Sequence, residues 1–180
     1  MLIQAETSSL LIVDVQQGLA PVMAEPRRVY RGCSLLMRAA VRLGIPLVVS
    51  EHYPQGLGAT VGELAELAPE GSVMGKLAFS CAADPAILER FRGFARPQIV
   101  LAGIESHVCV LQSALGFLAE GFQPVVVADA CSSRTDLSYQ TAMLRLAANG
   151  IEIVTVEMVV FEWLAKAGTP EFKELSALIK

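Results

Sequence analysis

Apolar residues along this chain fall into short unbroken runs, separated by longer stretches in which they recur every three or four positions. Ser9-Leu10-Leu11-Ile12-Val13-Asp14 is a continuous apolar run ending in an acid, the pattern of a strand buried on both faces. Similar runs at Pro46–Ser50, Ser72–Lys76, Gln98–Ala102, Gln123–Ala128 and Ile151–Thr155 predict further strands. A helix opens at Glu25-Pro26, carries Val29, Cys33, Leu36, Met37, Ala40 and Val41 on one face, and stops at Gly44. Glu51 to Gly58 reads as a loop, punctuated by Pro54, Gly56 and Gly58, and a short helix covers Val61 to Leu67. Asp84-Pro85 caps a helix through Phe91. A helix from Ser106, with Val108, Leu111, Leu115 and Leu118 as its core stripe, is closed by Gly121. The loop Ala130 to Asp136 leads into a helix ending near Asn149-Gly150, and two C-terminal helices follow, around Phe161 to Leu164 and from Pro170. Strands alternating with helices predict an α/β fold, a three-layer α/β/α arrangement around a six-stranded, mainly parallel, Rossmann-like sheet. No linker or internal repeat interrupts the pattern, so one domain over residues 1–180 is expected.

Composition narrows the function classes. The chain is 53% hydrophobic and 18% charged, which argues against disorder. No apolar stretch reaches the roughly 20 residues that span a bilayer. No basic segment followed by a cleavable apolar one is seen at the N-terminus, so a cytoplasmic location with reduced thiols is expected. A net charge of −4 without a lysine or arginine cluster points away from nucleic acid and from anionic membranes. The high hydrophobicity suggests a homo-oligomer that buries apolar surface between subunits. Cys33, Cys81, Cys109 and Cys131 form no Cys-x-x-Cys pair, and His52 and His107 are the only histidines, so a zinc site is not expected. The glycines around Gly103 do not form a dinucleotide-binding or phosphate-binding loop.

Three polar residues end predicted strands or follow them: Asp14, Lys76 and Cys109. In a doubly wound sheet they converge along the carboxyl edge. Cys109 is expected in the first turn of a helix, where the helix dipole favours its thiolate. A thiol must lose its proton to attack a carbonyl; Asp14 can take that proton, while Lys76 stabilises the thiolate and keeps Asp14 ionised. Singly, each residue also fits an ordinary structural part: a buried cysteine, a loop-binding acid, a solvated lysine. Gln16, Leu19, His52, Tyr53, Phe79 and Cys81 lie on segments that can line a pocket. Cys81 and Cys131 equally suit packing, as do Phe161 and Trp163. His107, two residues before Cys109 on a helix, faces elsewhere and reads as structural.

The joint pattern carries a resemblance. Leu11-Ile12-Val13-Asp14-Val15-Gln16, then Gly75-Lys76 followed by Phe79-Ser80, then Gly103-Ile104-Glu105-Ser106-His107-Val108-Cys109-Val110 occur in the order found in the isochorismatase-like cysteine hydrolase superfamily, which includes nicotinamidases and N-carbamoylsarcosine amidases. The chain resembles that superfamily from about Ser9 to its C-terminus. Ser50 to Gly58 and Pro170 to Lys173 are similar to its isochorismatase domain-containing subgroup. The resemblance implies an Asp14-Lys76-Cys109 triad and a cis peptide at Ile104–Glu105. It also implies an oxyanion hole made by the Glu105 and Cys109 N–H groups. The implied activity is cofactor-free hydrolysis of an amide-like C–N bond in a small molecule through a thioester. Nicotinamidases carry a metal-binding Asp-x-His with a further histidine, whereas the loop after the second strand here offers only His52. That argues against a metal and against nicotinamide. True isochorismatases do not use the cysteine, so Cys109 argues against isochorismate. Two other classes stay open: a thiol redox sensor, for which no resolving cysteine is evident nearby in sequence, and an idle scaffold with the same fold.

Overall fold

Every residue of the first strand, β1 (Ser8–Val13), is buried in the computed structural model, which describes residues 1–179. Successive side chains of a strand point to opposite faces. Accordingly Leu10 and Ile12 join one apolar cluster, and Leu11 and Val13 the other. Five further strands follow: β2 (Leu47–His52), β3 (Val73–Lys76), β4 (Gln98–Ile104), β5 (Gln123–Ser132) and β6 (Glu152–Val154). They form one six-stranded sheet in the order β3-β2-β1-β4-β5-β6, with every neighbouring pair parallel.

Helices cover both faces. One cluster packs α1 (Pro26–Leu43), α7 (Val156–Leu164) and α8 (Pro170–Ile179) on the sheet through Cys33, Leu36, Val160, Trp163 and Leu175. The other packs α4 (Pro85–Phe94), α5 (Leu111–Ala119) and α6 (Asp136–Ala148) through Ile87, Phe91, Phe117 and Leu146. The fold is thus three-layer α/β/α. The remaining helices, α2 (Pro54–Leu57) and α3 (Gly62–Ala65), are single turns. Capping follows local chemistry: Asp84 accepts the Ala86 and Ile87 N–H groups, and Thr135 accepts that of Ser138.

The chain departs from the sequence reading in several places. Glu51 and His52 continue β2, and Pro54 to Leu57 form a helical turn rather than open loop. β5 runs on to Ser132, because Cys131 and Ser132 pair with Gly103 and Ile104 after a shift of register. Val41 is exposed, so the α1 stripe ends at Ala40. The helix after β4 begins with a π turn, Ser106–Val110. This wider turn rotates the following stripe by about one residue. Val110, Leu111, Ala114 and Phe117 are buried, while Leu118 is exposed.

β1 lies between β2 and β4, so the strand order reverses beside it. The crevice beyond the carboxyl ends of the strands at such a switch point is where open α/β sheets bind ligands. Gly103 makes a close approach there: at φ +120, a Cβ on it would lie 2.2 Å from the Val13 carbonyl oxygen. Only glycine fits that position.

Candidate active site

Asp14 follows β1, Lys76 ends β3 and Cys109 lies in the π turn after β4, so all three sit at one edge of the sheet. Asp14 leaves its strand at φ 51, in the left-handed region that aspartate tolerates better than most residues. Lys76 Nζ donates to Asp14 Oδ2 at 2.7 Å, and both side chains are fully buried. The other two ammonium protons go to the carbonyls of Ala78 and Phe79, each at 3.1 Å. All three lysine donors are therefore used.

Two thiols stand beside this pair. Cys109 is almost buried, with 5% of its surface exposed, close enough to Asp14 for the carboxylate to act on its thiol. Cys81 is fully buried, and its sulfur lies 3.5 Å from Ser50 Oγ. Ser50 in turn donates to Asp14 Oδ1 at 2.6 Å. Burial and the Asp14 carboxylate push the Cys109 thiol up, against the opposing pull of Lys76. The same effects push Cys81 up to about 11. These effects run against the thiolate expected from the helix dipole. Desolvation is the largest of them, and Lys76 opposes it only in part. Burial pulls Lys76 down, but Asp14 and the nearby thiols outweigh it, and the net shift is upward.

The flanking residues divide by what they touch. The Ile104–Glu105 peptide is cis. The Glu105 carbonyl accepts the Val108 and Val110 N–H groups, and its carboxylate pairs with Arg134 at 2.8 Å. His107 Nδ1 bonds Ser133 Oγ at 2.9 Å. His52 and Phe79 stack with centroids 5.0 Å apart, and Tyr53 and Phe79 are both about half exposed. Burial, then Lys76, lowers the His52 pKa, and its Nδ1 is buried without a protein partner among the described residues. These three residues suit a pocket rim.

Three residues expected in the pocket have other work. Gln16 is fully buried; its amide accepts the His52 N–H at 2.7 Å and donates to the carbonyls of His52 and Gly58. It ties the β2 loop down, because a buried amide must spend its hydrogen bonds. Leu19 packs against the α1-side core. Cys81 lies beneath the site, with no surface to offer a ligand.

Sequence reasoning missed Ser50. It appeared as the last residue of an apolar strand and the first of the Ser50 to Gly58 segment, with no role of its own, although a hydroxyl at a buried strand end beside a candidate catalytic acid is itself a signal. No group of three or more His, Cys, Asp and Glu side chains able to hold a metal occurs among the described residues. No helix there is long and apolar enough to cross a membrane.

Comparison with known proteins follows this geometry. The isochorismatase domain profile matches residues 8–158. A secreted isochorismatase effector of Phytophthora sojae is 37% identical, covering 97% of this chain and 85% of its own length. The structure of the MAR1 ribonuclease of Caenorhabditis elegans superposes with a TM-score of 0.93 at 32% identity, covering 99% of this chain and 92% of that one. An octameric hydrolase of unknown specificity from Escherichia coli shares the fold at a TM-score of 0.92 and 21% identity, over 99% and 90% of the two chains.

Proposed function

Because the chain belongs to the isochorismatase family of the cysteine hydrolase superfamily, we propose that it hydrolyses an amide-like C–N bond in a small molecule, with Cys109 as nucleophile and Asp14 as proton acceptor. Hydrolase chemistry is the family's common ground. The observation that carries the finer reading is the buried Asp14–Lys76 ion pair at the strand ends where the Cys109 thiol also lies.

Cys109 Sγ attacks the carbonyl carbon as its proton passes to Asp14, and the carbonyl π electrons move onto oxygen. Lys76 remains protonated and compensates the charge that moves between carboxylate and sulfur. The Glu105 and Cys109 N–H groups are assigned to the oxyanion. Collapse of the tetrahedral adduct breaks the C–N bond, and the leaving amine takes the proton from Asp14. Water then attacks the thioester, giving its proton to Asp14; the C–S bond breaks, Asp14 returns that proton to sulfur, and the acid is released. His52, Tyr53 and Phe79 form the rim that meets the substrate.

The choice between the two thiols rests on access. Cys109 keeps some exposed surface, whereas Cys81 is sealed and bonded to Ser50. One structural relative is described as a ribonuclease, but a net charge of −4 offers a polyanion little electrostatic attraction here.

The test is a panel of small amides and carbamoyl compounds assayed with wild type, Cys109→Ala and Cys81→Ala. Turnover lost with Cys109→Ala and kept with Cys81→Ala supports the assignment. Turnover that survives Cys109→Ala, with the fold intact by circular dichroism, overturns it.

A further inference from the structure

Asp14 is held from two sides, and only one of them is Lys76. Its backbone N–H donates to the Ser50 carbonyl at 3.1 Å, while Ser50 Oγ donates to Oδ1 at 2.6 Å. Ser50 is fully buried toward the carboxyl end of β2. Cys81 Sγ lies 3.5 Å from the same hydroxyl, as a donor to it. With an S–H pointing at Oγ, the one hydroxyl proton is directed to Asp14. Lys76 meets the opposite carboxylate oxygen.

We propose that Ser50 is the positioning residue of the proton acceptor. Its hydroxyl and carbonyl lock the Asp14 carboxylate in the orientation that faces Cys109, and Cys81 sets the direction of that hydroxyl. This rests on the proposed function, since it assigns Asp14 as the base. Asp14 leaves the sheet in a left-handed conformation, with its N–H still bonded to the Ser50 carbonyl of β2. Ser50 supplies the orientation from β2. It also occupies Oδ1, so its loss leaves that side of the carboxylate unheld and free to turn from Cys109.

Iodoacetamide is the probe, and the readout is the rate of Cys109 carboxamidomethylation against pH, followed on the Cys109 peptide by mass spectrometry. Ser50→Ala moves the low-pH limb of that profile toward higher pH, so that the rate read at a fixed pH on the limb falls about tenfold. Ser50→Thr, which keeps a hydroxyl, leaves the limb in place. Ser50→Cys, which keeps the volume with a weaker donor, gives an intermediate displacement and decides the matter if the alanine variant does not fold. Asp14→Asn removes the limb. Coincident limbs for wild type and both the alanine and cysteine variants, with the limb still lost in Asp14→Asn, overturn the role of Ser50 alone. An unchanged profile in Asp14→Asn overturns the base assignment, and the role of Ser50 with it.

Discussion

Lys76→Met should cost stability as well as activity. The lysine and Asp14 are both fully buried, and the ammonium donates to Asp14 Oδ2 and to two carbonyls. Methionine keeps most of the volume and removes every one of those donors. It leaves a carboxylate buried without its counter-charge, with the Ala78 and Phe79 carbonyls unpaired as well. Removing one member of a buried ion pair costs about 3–5 kcal/mol. We expect a loss of that order at neutral pH by urea unfolding followed with circular dichroism. The double variant Asp14→Asn/Lys76→Met should regain part of it, since no isolated charge remains. In wild type the pair is lost at the alkaline end. The folded Lys76 pKa is raised above its ordinary value of 10.5, so its contribution is intact below that pH and is lost as pH climbs through the folded value. A loss below about 1 kcal/mol in Lys76→Met at neutral pH, typical of a surface pair, would refute the reasoning.

Gly103→Ala places a methyl group 2.2 Å from the Val13 carbonyl oxygen at a backbone angle that suits only glycine. It should prevent soluble folding, as read by expression and circular dichroism; a native-like variant counts against the close approach of β4 to β1. The His52 imidazole should titrate by NMR below its ordinary value of 6.5, because burial and Lys76 disfavour its charged form. That imidazole therefore favours stability above the ordinary value, and the contribution falls away as pH drops through the folded one. Leu137 and Leu144 are 78% and 72% exposed, and lie seven residues apart on α6. If the expected homo-oligomer buries that face, Leu137→Glu/Leu144→Glu lowers the mass measured by light scattering, while leaving monomer stability within about 0.5 kcal/mol.

The architecture was readable because its strands are apolar runs and its helices carry conventional caps. Asp84 and Gly44 stand where the capping rules put them, and both act as caps. What failed was local. A π turn has no period of its own in five residues, so the stripe through Leu118 came out one residue late. The extension of β5 depends on a register shift opposite Gly103, which is a property of two strands together. Within the site, residues announced by strand ends were readable, and those identified by partners were not. Gln16 is spent on the His52 and Gly58 backbone, and Ser50 on Asp14; neither bond is implied by spacing along the chain.

The protonation of Cys109 bears on which chemistry suits the site. A redox sensor needs an exposed thiolate at neutral pH. Here burial and Asp14 both disfavour the thiolate, and only a sliver of the residue meets solvent. The buried Cys81 supplies the nearby second thiol that sequence spacing hid, and burial pushes it up as well, to about 11. A hydrolase has no need of a standing thiolate. It needs the proton to leave as the carbon–sulfur bond forms, into a base held at the right angle. In the proposed reaction the Asp14 carboxylate, bonded to Lys76 through one oxygen and to Ser50 through the other, takes that part. On that reading the nucleophile stays protonated without substrate, and an electrophilic carbonyl brought against the sulfur drives the proton transfer.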